Sequence, residues 1–178
     1  GYVSGGDTPT TSNTIQKFTY AADANATDVS DMTIVRFGGA GQSSSTHGYN
    51  AAGSTGSSTN VIDKFTFAAD ANATDVGDLT ESKRYVTGQS STTHGYTTGG
   101  HLVSSDKIEK FSFASDGNSS DIGNLVGGTN NAGTGQSSTT HGYDSGGGSA
   151  IQIDKFSFST DGDATDVGNL TESHRYRG

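Results

Sequence analysis

Four sequence landmarks recur along the chain with a common period of about 47 residues. Such a period indicates tandem copies of one supersecondary unit, and single units of this kind cannot bury their apolar faces alone. The predicted units are 1–47, 48–94, 95–141 and 142–178, the last being truncated. His-Gly-Tyr begins at His47, His94 and His141, and Gly-Gln-Ser-Ser begins at Gly41, Gly88 and Gly135. Lys-Phe recurs at Lys17, Lys64, Lys110 and Lys155, and a Thr/Ser-Asp-Val/Ile motif recurs at Thr27, Thr74, Ser120 and Thr165.

Each unit is predicted to contain four short β-strands. The segment 61–67 is rich in β-branched and aromatic residues and carries two phenylalanines at a spacing of two. The other predicted strands are 74–80, 89–93 and 96–98, and no segment shows a capped helical period. The fold class is therefore all-β. Four short strands per unit are typical of a propeller blade, and an elongated β-solenoid or fibre of the same units is the alternative.

The composition taken alone is that of a disordered chain. Only 28 of 178 residues are Val, Ile, Leu or Phe, and the net charge is -9. A repeat array folds with few large residues because each unit packs against its neighbours. The predicted core of the second unit consists of Tyr49, Ile62, Phe65, Phe67, Val76 and Leu79.

Charge and hydropathy exclude several classes of partner. Nucleic-acid binding needs a basic surface, and the chain is acidic, with a pI near 4.7. The same charge argues against an anionic membrane surface. No apolar run is long enough to span a bilayer, so we expect no membrane insertion. The absence of cysteine excludes disulfides and thiolate metal sites.

The order of motifs within a unit resembles the kelch repeat. A Gly-Gly pair follows the Gly-Tyr strand in three units, and the second unit has Ala52-Gly53 there. An arginine follows the last strand at Arg36, Arg84 and Arg175, whereas the third unit has Gly-Gly-Thr at 127–129. The tryptophan of the family is absent, and Asp-Val-Gly stands in its place. The resemblance implies a β-propeller of about four four-stranded blades. We expect these to belong to a larger ring, since the chain begins within a repeat.

The amino-acid sequence of the repeat also resembles repeats in virion structural and tail-fibre-like proteins of marine tailed phages. This resemblance implies a location on a virion or on an extracellular or cell surface. The expected partners are other virion or surface proteins, or host-surface glycans, and a homo-oligomer is a candidate assembly.

The Asp-rich turn between the third and fourth strands is a candidate calcium site. Its oxygens occur at alternating positions, as in calcium-binding loops. Because a glycine is missing at the sixth position, we favour a simple hydrogen-bonded turn with solvated carboxylates over a metal site. No other cofactor is expected. The candidate ligands are Asp70, Asn72, Thr74 and Asp75 in one unit and Asp161, Asp163, Thr165 and Asp166 in another.

The repeated His-Gly-Tyr motif is a candidate ligand-binding feature. The repeated histidines could converge around an axis to bind a metal or sense pH, but their position before Gly-Tyr in a hairpin turn favours exposed turn residues. The candidate residues are His47, Tyr49, His94, Tyr96, His141 and Tyr143.

The repetition favours a structural or receptor-binding role over catalysis. A catalytic site is normally singular, and the serines and acidic residues here recur in every unit. Several equivalent weak sites gain strength from multivalency. A carbohydrate-binding propeller is the second hypothesis. An enzyme of the galactose-oxidase type shares only the implied fold, and no unit departs from the repeat to supply its copper site.

Overall fold

The computed structural model describes residues 1–7, 9–101, 106–127 and 132–173. These residues form fifteen β-strands and, within the described ranges, no helix. No described segment is therefore a helix long and apolar enough to cross a membrane. The all-β prediction is confirmed.

The strands form four antiparallel sheets, each built from consecutive strands in sequence order. The first sheet contains β1 (Tyr2–Asp7), β2 (Thr11–Lys17) and β3 (Thr27–Asp31). The second contains β4 (Ala40–Ser43), β5 (His47–Ala51), β6 (Thr59–Thr66) and β7 (Thr74–Lys83). The third contains β8 (Thr87–Ser90), β9 (His94–Thr98), β10 (Lys107–Ser112) and β11 (Ser120–Asn124). The fourth contains β12 (Thr134–Ser137), β13 (His141–Ser145), β14 (Gln152–Ser157) and β15 (Thr165–Asn169).

The four strands predicted for a unit are confirmed, with changed ends. β8 stops at Ser90 rather than continuing to 93, because the next residues form a tight turn. In this turn the backbone N–H of Ser91 donates to the carbonyl of His94 at 2.9 Å. The Ser91 hydroxyl also accepts a hydrogen bond from the His94 N–H at 2.9 Å. The His-Gly pair therefore opens the second strand and is not itself the turn.

A left-handed turn ends the second strand of each four-stranded sheet. Ala52, Gly99 and Gly146 have φ angles of 62°, 62° and 70°, and the glycine that follows each also has a positive φ. Glycine adopts this conformation without steric cost, which explains the Gly-Gly pairs of the sequence. The second unit reaches the same turn with an alanine.

Tyrosine and phenylalanine rings join each sheet to the next. The tyrosine of the His-Gly-Tyr strand, or Tyr2 in the first sheet, stacks on the second phenylalanine of the following unit's Lys-Phe motif. The ring centroids lie 4.9 Å apart for Tyr2 and Phe67, 4.8 Å for Tyr49 and Phe113, and 4.7 Å for Tyr96 and Phe158. The three hydrophobic clusters of the described chain all combine residues of neighbouring units. The core is therefore located between sheets.

The Gly-Gln-Ser strands of consecutive sheets lie side by side. The Ser43 backbone N–H donates to the Ser90 hydroxyl at 3.0 Å, and the Ser90 N–H donates to the Ser137 hydroxyl at 3.0 Å. The Gln42 and Gln89 amides donate to main-chain carbonyls of the next sheet. A Cβ added at Gly88 would collide with the backbone of β4. This close approach explains why the strand contains small polar residues.

Substituting Gly48 with alanine is expected to lower the free energy of unfolding by about 1–3 kcal/mol. A Cβ on Gly48 would overlap the ring of Phe65, its partner across β5 and β6, and would force that ring out of the inter-sheet core. Urea unfolding followed by circular dichroism measures the effect.

The matched control is Gly41→Ala in the neighbouring strand, where a Cβ has no atom within 4 Å. An equal loss for both variants would show that glycine flexibility, rather than the contact with the ring, determines the cost.

Candidate functional site

The first aspartate of the Asp-rich turn binds a lysine of the preceding unit. Each of these lysines is the one that begins the Lys-Phe motif, so the pairing recurs at every described boundary between sheets. All three pairs are partly exposed, and such ion pairs contribute little stability individually. The Nζ–Oδ1 distances are 2.7 Å for Lys17 and Asp70, and 2.5 Å for both Lys64 with Asp116 and Lys110 with Asp161.

The next polar residue of the turn caps the edge strand of the preceding sheet. The Asn72 side-chain oxygen accepts a hydrogen bond from the Asp31 backbone N–H at 3.0 Å. Asp163 accepts from the Asn124 N–H at 2.9 Å in the same way. The turn therefore holds neighbouring sheets together through both residues.

The remaining candidate calcium ligands make contacts within their own unit. Asp75 and Asp166 accept hydrogen bonds from the N–H groups of Gly77 and Gly168, at 3.1 and 3.0 Å. Thr165 donates to the Lys155 carbonyl at 3.4 Å, and Thr74 begins β7. The described residues contain no group of three or more His, Asp or Glu side chains suited to a metal ion. Calcium at this turn stays a prediction, and the observed contacts give the turn a structural role.

The histidine and the tyrosine of the His-Gly-Tyr motif lie in different environments. Tyr49 and Tyr96 are buried between sheets, and Tyr143 is half-buried. The histidines begin the second strands, directly after the turn, and the Nδ1 atoms of His47, His94 and His141 lie 2.8 to 2.9 Å from the hydroxyl of the preceding threonine. Burial lowers the pKa of His94. The accessible part of each candidate site is therefore the histidine.

The three turns that precede these histidines form one continuous surface, here called the turn face. It comprises residues 43–47, 90–94 and 137–141, brought side by side by the contact between β4, β8 and β12. A groove of about 630 Å³ runs across it. Hydroxyl side chains line this groove, and they belong to Ser43, Ser44, Ser45, Ser90, Ser91, Thr92, Ser137, Ser138 and Thr139.

Two fully buried ion pairs were not predicted from the sequence. The Arg36 guanidinium lies 2.6 Å from the Asp63 carboxylate, and the Lys83 ammonium lies 2.5 Å from Glu109. The expectation that Arg84 is the counterpart of Arg36 is corrected, because Lys83 enters the interface. Arg84 instead lies over the ring of Tyr85, 5.5 Å from its centroid. Lys83 follows the core residue Leu79 at the same spacing at which Arg36 follows Met32. This spacing in the sequence would have identified Lys83 as the counterpart of Arg36.

Burial and charge compete at these pairs. Burial lowers the pKa of Arg36, and the charge of Asp63 opposes this effect. Burial would raise the pKa of Glu109, but the charge and hydrogen bond of Lys83, together with hydrogen bonds from Thr80, outweigh it and lower the pKa. Each pair is therefore a structural element of the interface between two sheets.

The geometry of the turn face recurs nearly unchanged in three successive sheets. It offers hydroxyl donors and acceptors and half-exposed imidazoles in a periodic order.

Neither a protein-family model nor a curated protein matches the chain.

Proposed function

We propose that the chain is a non-enzymatic structural or receptor-binding module of a virion, tail-fibre-like, or of a cell surface. The observation that carries this proposal is the equivalence of the three turns of the turn face. Each turn presents the same histidine, held by the same threonine hydroxyl, next to the same serine. Equivalent sites on one rigid surface bind a repetitive partner with an avidity that no single site reaches.

We further propose that the sheets are blades of a kelch-like β-propeller with the Gly-Gln-Ser strands nearest the axis. The lateral contact between β4, β8 and β12 supports this arrangement. The outer faces of the first and fourth sheets also carry the two complementary sets of residues that join neighbouring units elsewhere. Tyr143 and Lys155 stand at one end, and Tyr20 and Asp23 stand at the other, in the repeat positions that interact elsewhere. Lys155 has no carboxylate partner among the described residues.

Electron microscopy of the intact parent protein tests this architecture. Class averages with a round outline and a central depression support a closed propeller and give the number of blades. Rods or extended fibres would exclude the propeller and favour a solenoid-like segment.

The expected partners are proteins of the same particle or repetitive host-surface molecules. The net charge of -9 disfavours polyanionic partners such as nucleic acid. A carbohydrate ligand is the second candidate, because the hydroxyl-lined groove offers donors and acceptors to sugar hydroxyls.

Replacing His47, His94 and His141 together with alanine is expected to weaken binding to host cells or particles by about 10²- to 10⁴-fold, because avidity is lost. Each single substitution is expected to have a much smaller effect. Surface-immobilised host envelopes and biolayer interferometry provide the measurement, and a glycan array identifies a sugar ligand.

The control is His101→Ala, since His101 is exposed and lies outside the turn face. Loss of all binding in one single variant would contradict a repeated surface and indicate one singular site.

A further inference from the structure

A buried carboxylate recurs on the third strand of the second, third and fourth sheets. Asp63, Glu109 and Asp154 occupy the same repeat position, and each is fully buried. Each accepts a hydrogen bond from a backbone N–H of the preceding unit. The distances are 3.0 Å from Thr33 to Asp63, 2.5 Å from Thr80 to Glu109, and 3.0 Å from Val126 to Asp154.

The first two carboxylates have a cation from the preceding unit, whereas the third has none among the residues that the structure describes. Arg36 pairs with Asp63, and Lys83 pairs with Glu109. The sequence position that matches these cations in the third unit holds Thr129, which carries no charge. The Oδ1 atom of Asp154 is enclosed and has no hydrogen-bond partner among the described residues.

Backbone carbonyls surround the cation in the second sheet. The Arg36 guanidinium donates to the carbonyl oxygens of Asn50, Ala52 and Val61 at distances of 3.1, 3.1 and 2.9 Å. These three oxygens and the Asp63 carboxylate form a set of four oxygen ligands around a single positive charge.

The fourth sheet repeats this backbone geometry around Asp154. Asp144 pairs with Asp154 across β13 and β14 in the register that joins Asn50 to Asp63. The Gly146 N–H donates to the Gln152 carbonyl at 3.0 Å, matching a bond of 3.1 Å in the second sheet. The carbonyls of Asp144, Gly146 and Gln152 are therefore arranged about Asp154 as their counterparts are about Asp63.

We infer that the fourth sheet binds a monovalent metal cation, Na⁺ or K⁺, through the Asp154 carboxylate and these three carbonyls. Oxygen ligands suit hard cations, and the two equivalent positions each hold a group of charge +1. An uncompensated carboxylate in this interior is costly. A second buried acid, Asp144, adds to the negative charge of the same sheet. Val126, which binds Asp154, is half-exposed, so the route from solvent is short.

The pKa values of Asp154 and of Glu109, whose ion pair is complete, are shifted in opposite directions. Burial raises the pKa of Asp154, and hydrogen bonds from the backbone N–H groups of Val126 and Gly127 offset it only partly, while Asp166 adds to the rise. Glu109, with Lys83 beside it, has a lowered pKa.

Hydrogen exchange in the sodium, potassium and choline chloride salts, at equal chloride concentration, tests the site. Choline is too large for the set of four oxygens. We expect amide exchange in β14 to slow by about tenfold when Na⁺ or K⁺ is present at about ten times its Kd. Exchange in β6, where Arg36 supplies the charge, serves as the control within the same molecule and is expected to be equal in all salts. Broadening of the ²³Na resonance by the protein reports binding directly.

Asp154→Asn keeps the shape of the side chain and removes its charge. This variant is expected to show neither the salt-specific protection of β14 nor the ²³Na broadening. The site would be disproved by equal β14 exchange in all three salts in the wild type, or by the same salt response in the variant. Protection by calcium chloride but not by sodium or potassium would also overturn the assignment to a monovalent ion.

Discussion

Replacing Arg36 with methionine is expected to lower the free energy of unfolding by about 3–5 kcal/mol, a large share of the stability of a domain. The guanidinium is 1% exposed, its Asp63 partner is fully buried, and three main-chain carbonyls accept its hydrogen bonds. Removing it leaves a buried carboxylate without its cation and three acceptors without their donors. Urea denaturation of the wild type and variant measures the loss.

The control for this experiment is Lys17→Met. Lys17 also pairs with an aspartate of the next unit, but its side chain and that of Asp70 are 39% and 54% exposed. Removing it is expected to cost far less than removing Arg36, because solvent screens the pair. The double variant Arg36→Met with Asp63→Leu is expected to recover much of the loss, since it removes the buried charge as well. A loss for Arg36→Met no larger than that for Lys17→Met would contradict the structure of this interface.

Truncating Tyr96 to alanine is expected to cost about 3–5 kcal/mol and to separate the third and fourth sheets first. The ring is 1% exposed. It stacks on Phe158 at 4.7 Å and meets Phe156 at 5.4 Å, so its loss removes aromatic contacts and leaves a cavity. Thermal unfolding measures the loss, and hydrogen exchange shows whether protection falls first in the fourth sheet.

Tyr143→Ala provides the matched control at the same repeat position. Tyr143 is half-buried and has no ring partner among the described residues. Its truncation is expected to cost about 1 kcal/mol, the central value for ordinary substitutions. Equal losses for Tyr96 and Tyr143 would show that contacts within each sheet, rather than stacking between sheets, hold the rings.

The fold within each unit could be predicted because its signals are local. The alternation around Phe65 and Phe67 indicates β6, and the pairs of glycines mark the left-handed turns that end the second strands. The large residues predicted for the second unit's core do lie in inter-sheet clusters. Only the first two strands of each four-stranded sheet are joined by a short turn, of three residues, which helps to set their register.

The contacts between units could not be predicted from the same signals. Alternation places Asp63 on the opposite face of β6 from Ile62, and this face is expected to meet solvent. Thr33 and Arg36 of the preceding unit instead bind Asp63, and both Asp63 and Ile62 are buried. Oxygens at alternating positions near Asp161 predict a calcium loop, because the sequence does not show that Lys110 reaches this carboxylate from another unit. In each case the deciding partner is distant in the sequence, and a local pattern carries no information about it.

The arrangement of every sheet from consecutive strands has a mechanical consequence. A force applied to the two ends of the chain would act on the sheets in series, since no described sheet exchanges strands with another. The strands of one sheet would separate while the others remained intact. Each event would release one repeat of chain, about 150 Å when extended at about 3.3 Å per residue. The protein would then lengthen in nearly equal steps and dissipate energy at each one.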